Sequence, residues 1–465
     1  MGGLSAQMKE HYHFIGIGGS GMGPLALLMV AKGYRVSGSD LKENVLTKQL
    51  REKGANIFIG HDADHVEGAH VVVYSSAILE DNPERGEAKR RHVPILRRAE
   101  LLAQLMNEQI GVAVAGAHGK TTTTSMISHL FVQAGLNPST SVGGIVNGAY
   151  GSSLGDGRYF VAEMDESDGS FWYFYPQYGV VTNIDFEHVD FYQNWDNILN
   201  GYARFIQQIS DKGKLLIYGE DKYLPSLAKR SGKDFLSYGL GEDNTIYAKE
   251  IVITEKGSSF DCYIHREKIG RIELEVLGKH NILNAMACVG IGHALSIDFN
   301  LIQHSLKSFR GVQRRFQIKG NINNILIVDD YGHHPTEIRA TIATARLLKP
   351  KRLVTVFQPH RYSRTKFLMD EFIDCLSLTD YLVLMDIYAA SEKPIVGISS
   401  LGMWTKFQKI CNLAGVYLKK EEIVAHLVKM LSPGDLVLFL GAGDINLLAD
   451  QLIQHLTKNK VTSNP

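Results

Sequence analysis

The stretch AGAHGKTTTT, Ala115 to Thr124, constrains this chain more than any other. It follows an apolar run, Ile110 to Val114, and leads into a helix-like pattern from Ser125 to Ala134. Strand, glycine turn and helix in that order place backbone N–H groups and a lysine around a polyphosphate. The match to G-x-x-x-x-G-K-[ST] is incomplete, because Val114 stands where the first glycine belongs and the earlier glycine is Gly116. The core Gly119-Lys120-Thr121 is kept. Glycines permit close backbone approach, Lys120 can neutralise β/γ-phosphate charge, and the Thr121 hydroxyl can face Mg²⁺. Gly116, Ala117, His118, Gly119, Lys120, Thr121 and Thr122 thus form the expected nucleoside-triphosphate loop. The competing reading is a glycine turn before an ordinary helix with an exposed lysine.

A chain of 465 residues exceeds what one core usually serves, so two to four domains are expected. Hydrophobic content of 45% and charged content of 21% describe an ordinary globular protein. Because 49 basic residues balance 49 acidic ones, no global charge draws the chain to nucleic acid or to an anionic membrane. Cys262, Cys288, Cys375 and Cys411 are too scattered for a metal or disulfide pattern, which fits a reducing cytosol. The N-terminus lacks an apolar signal core, Ala6 leaves a myristoylation motif incomplete, and no uninterrupted apolar run reaches membrane-spanning length. The expectation is a cytoplasmic protein without nucleic-acid or membrane partners.

Taken in order, the chain alternates strands and helices. His13 to Ile17 reads as a buried strand, Pro24 to Lys32 as a helix and Tyr34 to Ser37 as a second strand ending near Asp40. Between the first two, Gly16, Gly18 and Gly21 make a G-x-G-x-x-G pattern, with Asp40 at about the distance expected of a ribose-binding acid. The glycines do not choose between NAD, another diphosphate-bearing nucleotide and a purely structural turn. Ala69 to Tyr74 delivers Ser75 and Ser76 to a strand's carboxyl end, where ligands of open α/β sheets gather. Pro94 to Met106 reads as a helix with Arg97 and Arg98 on a solvated face, and a first domain closes near Asn107.

The second α/β unit carries Tyr159 to Met164, which ends at Glu163, and Gly179 to Ile184, which leads to Asp185, Glu187, His188 and Asp190. Acidic groups after successive strands beside a phosphate loop suit Mg²⁺. A loop histidine such as His188 is ordinarily a surface or hydrogen-bonded residue. Lys214 to Gly278 alternates as β structure does, and a helix begins with GKHNILNAMAC, placing His280 and Asn284 at i and i+4. Capping explains an asparagine here almost as well as ligand binding. Arg310, Arg314 and Arg315 precede a boundary near Lys319 to Asn324. A third unit then runs from Ile325 to Val328 through DDYGHHPTE, a helix from Thr336 to Leu348, the strand Arg352 to Phe357 with QPHRYSRT after it, and strands Tyr381 to Met385 and Leu436 to Leu440. That rhythm predicts another doubly wound sheet.

Together the motifs GIGGSGMGPLA, AGAHGKTTTT, AEMDESDGSF, TNIDFEHVD, GKHNILNAMA, GVQRRF, DDYGHHPTE and QPHRYSRT resemble those of the Mur ligase family, in order and over nearly the whole chain. The resemblance implies α/β structure in three domains: a Rossmann-like UDP-sugar domain (1–107), a P-loop ATPase-like central domain (108–321) and a Rossmann-like amino-acid-binding domain (322–465). It implies the branch that uses ATP to join L-alanine to UDP-N-acetylmuramate through an acyl phosphate in peptidoglycan precursor synthesis. Gly18, Gly19, Ser20, Gly21, Met22, Asp40, Ser75 and Ser76 would then hold the UDP-sugar, and NAD drops out. Lys120 resembles the phosphate-binding lysine; Thr121, Glu163 and His188 resemble metal-site residues for Mg²⁺. His280, Asn284, Arg315 and Asp330 fall where relatives contact ATP. Tyr331, His333, Arg361 and Arg364 fall near the amino acid, the last three also as catalytic candidates.

Several family members use a carbamylated lysine shortly after the histidine, but no lysine occurs here between Val189 and Asp211. The chemistry has its own logic. A carboxylate and a γ-phosphate repel, so cations must hold them in line, and the acyl phosphate must be shielded from water, which predicts domain closure. His333 is the candidate base for the amine. The competing functions are a murein-peptide recycling ligase adding a tripeptide, a non-catalytic nucleotide-binding regulator on the same scaffold, and an NAD oxidoreductase fused to an ATPase. Tyr331-Gly332 favours the alanine enzyme over the first. A monomer or weak homodimer is expected.

Overall fold

A computed structural model describes residues 10–146, 149–150, 152–390 and 392–461. The first sheet contains β1 (His11–Ile15), β2 (Arg35–Asp40), β3 (Asn56–Ile59), β4 (Val71–Tyr74) and β5 (Ile95–Arg97), all parallel in the order β3-β2-β1-β4-β5. The order reverses between β1 and β4, and the crevice beyond their carboxyl ends is where an open α/β sheet binds ligands. The loops after those strands carry the G-x-G-x-x-G turn and Ser75-Ser76.

The second sheet uses β6 (Ile110–Ala115), β7 (Ser139–Ser141), β10 (Tyr159–Glu163), β11 (Tyr178–Val181), β12 (Lys214–Tyr218) and β13 (Phe235–Gly239), continued by β14 (Ile246–Thr254), β15 (Gly257–Ile264) and β16 (Glu267–Leu274). A small hairpin of β8 (Ile145–Val146) and β9 (Ala149–Tyr150) stands apart. Strand β6 lies between β11 and β10, so the loop following it opens between the ends of two neighbours. The third sheet runs β17-β18-β22-β19-β20-β21, from β17 (Gln317–Ile322), β18 (Ile325–Asp330), β19 (Arg352–Phe357), β20 (Tyr381–Leu384), β21 (Gly415–Tyr417) and β22 (Asp435–Leu440). Only β17 is antiparallel to its neighbour there.

The chain separates into two compact units. The first runs to Lys249 and includes Asp261–Arg271 and Leu283–Lys307; the second holds Glu250–Phe260, Ile272–Ile282 and the chain from Ser308 on. Within the first unit one core extends from Phe14 and Leu25 through Leu102 and Met106 to Phe171, Tyr202 and Phe205, all nearly fully buried. In the second, Phe357, Phe372 and Leu438 fill one side of the sheet and Val354, Phe439 and Leu452 the other.

Expected elements differ in several places, two of which bear on the site. Pro94 to Met106 is divided: Ile95–Arg97 pairs with Val72–Tyr74 as β5, and the helix starts at Arg98, where the Glu100 carboxylate accepts the Arg97 amide at 2.6 Å. Arg98 is not on a solvated face; it lies 3.6 Å from Asp165, and a Cβ on Gly21 would meet its Cδ at 3.1 Å. The helix after the phosphate loop begins at Lys120, five residues before the expected Ser125. Threonines ordinarily disfavour a helix interior, but here Thr124 and Ser125 hydroxyls donate back to the Lys120 and Thr121 carbonyls at 2.8 and 2.7 Å, and the residues are buried.

The first sheet also encloses a fully buried carboxylate, Glu84. It accepts from Ser39 Oγ at 2.6 Å, with His61 Nδ1 at 3.1 Å and His65 Nδ1 at 2.8 Å. Burial alone would raise its pKa, yet His13, Ser39 and His65 together bring it down to about 2. A depressed carboxylate contributes stability above its unfolded value of 4.5, and that contribution disappears as pH falls toward 2. Glu84→Gln is expected to lose about 2–3 kcal/mol at pH 7, the scale of hydrogen bonds to a charged group, and to show a flatter acid limb. Urea melts from pH 7 to pH 3 test this, and superimposable pH profiles for the two proteins would rule it out.

Candidate functional site

At the end of β1 the amides of Gly16 and Ile17 both donate to Ser39 O, at 2.8 and 2.9 Å, and Gly16 adopts φ 79°. The Gly18 amide donates to the Asp40 carboxylate at 2.9 Å, so in this state Asp40 holds the turn itself. Gly19, Ser20 and Gly21 are exposed directly before the helix Met22–Ala31, whose first turn has no side-chain cap. The Gly19, Met22 and Gly23 amides donate within the turn, so the Ser20 and Gly21 amides are the ones that can face an anion here. Met22 is buried and its amide donates to Gly19 O at 3.0 Å. Ser75 is half-buried and Ser76 exposed on the loop after β4, and Ser75 Oγ would lie 3.6 Å from a Cβ on Gly16.

The phosphate loop is fixed from below. Gly116 has φ 131°, and a Cβ on it would fall 2.1 Å from Thr182 Oγ1, so no other residue fits. The Ala117 amide donates to Asn183 O, and the His118 amide to Asn183 Oδ1 at 2.8 Å. His118 Nε2 pairs with Asp185 at 2.9 Å. Gly119 has φ 81° and its Cβ would meet Asn284 Oδ1 at 2.7 Å; the same oxygen accepts from Thr123 Oγ1 at 3.1 Å. Asn284 therefore stands against the loop in the first unit. Thr122 is buried in the helix's first turn.

Carboxylates surround the lysine. Lys120 Nζ contacts Glu166 Oε1 at 2.8 Å and donates to the Gly116 and Ala117 carbonyls at 2.6 and 3.1 Å. Loss of hydration disfavours its charge, but Glu166, Glu163 and Glu187 outweigh that and hold it protonated well above the usual lysine range. Thr121 Oγ1 donates to Glu163 Oε1 at 3.0 Å, and Glu163 Oε2 accepts the Gly143 amide at 2.8 Å. His188, at φ 54°, stands 3.5 Å from Glu166. Burial would lower its pKa, but Glu166 and Glu187 raise it. Of the three expected metal residues, Thr121 and Glu163 thus pair with each other, whereas His188 stands beside Glu166. The side chain of Asp190 lies outside the described residues.

Glu166 escaped sequence reasoning. Nothing in DESDGSF distinguishes it from the neighbouring acids; its burial to 3% exposure and its distance to Lys120 do.

The second unit holds the other expected residues. Asp330 is buried and its carboxylate takes the Phe316 and Gly332 amides at 2.6 and 2.7 Å and Thr341 Oγ1 at 3.2 Å; burial still raises its pKa. The Arg314 and Arg315 guanidiniums lie 5.0 and 5.3 Å from the Tyr331 ring centre. His280, on the first turn of the helix Lys279–Ala294, is pushed down to about 4 by desolvation and then by Arg315. His333 Nδ1 is 3.1 Å from Tyr331 O and 3.4 Å from Glu337.

His360, a further residue missed in the sequence, stacks on Tyr388 with ring centres 5.6 Å apart and lies 5.8 Å from the His333 ring. Its Nδ1 is 3.1 Å from the Arg364 guanidinium. Desolvation first, then His333, Arg364 and Arg361, push its pKa down to about 3, so it is a neutral acceptor. Arg361 adopts φ 70°, donates its amide to Tyr388 O at 2.8 Å and approaches Glu392 at 4.0 Å. Tyr331, His333, Arg361 and Arg364 therefore follow the carboxyl ends of β18 and β19.

Residues 11–110 match the Mur ligase family, catalytic domain; 114–292 the Mur ligase middle domain; and 314–443 the Mur ligase, glutamate ligase domain. The UDP-N-acetylmuramate–L-alanine ligase of Syntrophobacter fumaroxidans is 44% identical over 458 residues, covering 96% of this chain and 96% of its own. That of Aquifex aeolicus is 41% identical, covering 98% of this chain and 100% of its own. The crystal structure of the UDP-N-acetylmuramate-alanine ligase of Thermotoga maritima has a TM-score of 0.81 at 28% identity, covering 97% of this chain and 99% of that one. A murein peptide ligase of Psychrobacter arcticus shares the fold, with a TM-score of 0.72 at 23% identity, over 96% of this chain and 98% of that one. With three family domains matched in order, the chain belongs to the Mur ligase family.

Proposed function

We infer that this protein is an ATP-dependent amide-bond-forming ligase that joins L-alanine to UDP-N-acetylmuramate in peptidoglycan precursor synthesis. The observation that carries the reading is the 41–44% identity to named alanine ligases over nearly the whole chain. Recycling of a tripeptide and a non-catalytic regulatory role are not favoured, and the retained lysine, carboxylates and arginines speak against loss of catalysis.

We assign residues 1–107 to UDP-sugar binding, 108–321 to ATP and 322–465 to the amino acid. Exposed Gly19, Ser20 and Gly21 suit a diphosphate, with Ser75 and Ser76 beside them. Gly116 to Thr122 hold the ATP phosphates, assisted by Asn284; His280, Arg315 and Asp330 are assigned to ATP by their positions in the family motifs. Lys120 offsets the charge of the γ-phosphate as the substrate carboxylate approaches, the interaction that favours in-line transfer over repulsion. The phosphoryl group passes to the carboxylate, the amine then attacks the acyl carbon, and phosphate leaves. Arg361 and Arg364 take the alanine carboxylate, for which a guanidinium offers two parallel hydrogen bonds. His333 is the base candidate; His360, at about 3, is too weak a base for that task.

The donor set fits Mg²⁺. Oxygen ligands from Thr121 and Glu163, with His188 nearby, suit a hard cation, and Glu166 Oε2 is buried without a hydrogen-bond partner. When bound, Mg²⁺ supplies charge neutralisation on the phosphates. A monomer or weak homodimer in the cytoplasm is our reading; among the described residues no helix is long and apolar enough to cross a membrane.

A coupled assay for ADP release is expected to require both UDP-N-acetylmuramate and L-alanine, with product mass confirming the amide. Turnover of ATP equally fast without either substrate would overturn this function.

A further inference from the structure

We propose that Asp329 is a positioning residue for ligation: its buried carboxylate holds the Arg314 guanidinium against Tyr331, and Arg314 in turn sets the row of rings beside which L-alanine binds. The proposal rests on the assignment of Tyr331, His333, Arg361 and Arg364 to the alanine subsite.

Neighbouring residues of a strand point to opposite faces, so the two aspartates of β18 meet different surroundings. Asp330 takes the Phe316 and Gly332 amides and Thr341 Oγ1, which satisfy it. Asp329 is 1% exposed, and among the described residues neither of its carboxylate oxygens has a hydrogen bond. The cation that reaches it is Arg314, whose Nε, also buried and without a hydrogen bond, stands 3.4 Å from Asp329 Oδ2. Lys319 on β17 and Asp450 on the helix Asn446–Val461 act on the same carboxylate from further off, but they pair with each other at 2.7 Å. A buried carboxylate so sparsely satisfied adds little to stability. Packing alone does not account for an acid here.

Arg314 connects that acid to the site. Its main-chain carbonyl accepts the Tyr331 amide at 2.6 Å, its guanidinium lies 5.0 Å from the Tyr331 ring centre, and its Nη2 donates to Gly441 O at 2.5 Å. From Tyr331 the rings follow one another: His333 at 5.5 Å, His360 at 5.8 Å from His333, and Tyr388 at 5.6 Å from His360. The Arg314 charge also contributes to keeping His360 neutral, and that neutral Nδ1 is what the Arg364 guanidinium faces. A displaced Arg314 therefore disturbs both Tyr331 and Arg364, although Asp329 touches neither substrate nor nucleotide.

The acid also makes this link titratable. Burial raises the Asp329 pKa to about 6; Arg314 and Lys319 oppose the rise, and Asp330 and Asp450 add to it. Above that value the carboxylate is charged and attracts Arg314. Below it the attraction is lost and alanine binding weakens. A substitution that merely loosened the fold would weaken binding by the same factor at every pH.

Steady-state kinetics of the full chain between pH 5 and pH 8 is the test. At pH 8, Asp329→Asn is expected to raise KM for L-alanine about tenfold, with kcat and the KM values for ATP and UDP-N-acetylmuramate within about threefold of wild type. At pH 5 wild type has itself lost most of the carboxylate charge, so the ratio of the two KM values should shrink to about twofold. A ratio that stays constant over this range, or an unchanged KM at pH 8, overturns the proposal. If Asp329→Asn does not fold, Arg314→Gln supplies the second readout: KM for L-alanine should be raised at pH 8 and the wild-type step near pH 6 abolished. A step of wild-type size in that variant overturns the proposal equally. Arg361→Ala separates the premise from the inference. If it leaves KM for L-alanine unchanged, the subsite assignment fails; if it raises KM while the Asp329→Asn ratio is flat with pH, the role of Asp329 alone fails.

Discussion

Lys120→Ala is expected to lower kcat/KM for ligation by about a thousandfold while the chain keeps its fold. At 1.36 kcal/mol per decade this is about 4 kcal/mol, the scale of losing one electrostatic contact that matters mainly in the transition state. Charge builds up between γ-phosphate and substrate carboxylate in the first step, and Lys120 is the cation placed on the loop itself, held protonated by the surrounding carboxylates. The fold should persist because the unit's core is built from Phe14, Leu102, Phe171, Tyr202 and Phe205, none of which depends on the ammonium group. Removing it leaves the buried Glu166 charge without its lysine partner, so a lower melting temperature is expected with an unchanged far-ultraviolet circular dichroism spectrum. Ligation measured by ADP release within tenfold of wild type would contradict the assigned role.

What could be read in the sequence was what is local. The strand, glycine turn and helix around Lys120 occupy consecutive residues, so their order alone announced a phosphate loop, and the structure adds the reason for Gly116: the space its Cβ would need belongs to Thr182. The strand Arg352–Phe357 lies where its apolar run placed it. Boundaries set by side-chain hydrogen bonds were not legible. The four-threonine run resembles a poor helix start until the back-bonds of Thr124 and Ser125 and their burial are known. Arg98 looked solvated because its partner, Asp165, is distant in sequence. Glu166 and His360 were hidden for the same reason. Each sits inside a motif that had been noticed, but burial and contacts with residues far along the chain select it from its neighbours.

The amino-acid side offers the second large effect. Arg361→Ala and Arg364→Ala are each expected to raise KM for L-alanine by about a hundredfold, roughly 2.7 kcal/mol, while KM for ATP and UDP-N-acetylmuramate stays within about threefold. A charge-assisted, two-point contact with a carboxylate acts on the substrate that carries it, which is why the effect should divide among substrates this way. The two arginines are held by different means. Arg364 faces the neutral Nδ1 of His360, an acceptor that orients the guanidinium without consuming its charge. Arg361 is fixed through its backbone, at φ 70° with its amide on Tyr388 O, and its guanidinium stops 4.0 Å from Glu392. Lysine at either position keeps the charge but loses the planar fork, so Arg361→Lys and Arg364→Lys should recover only part of the affinity. Steady-state kinetics with each substrate varied in turn decides the matter: a rise in KM shared equally by all three substrates would place these arginines in general scaffolding and remove them from the alanine site.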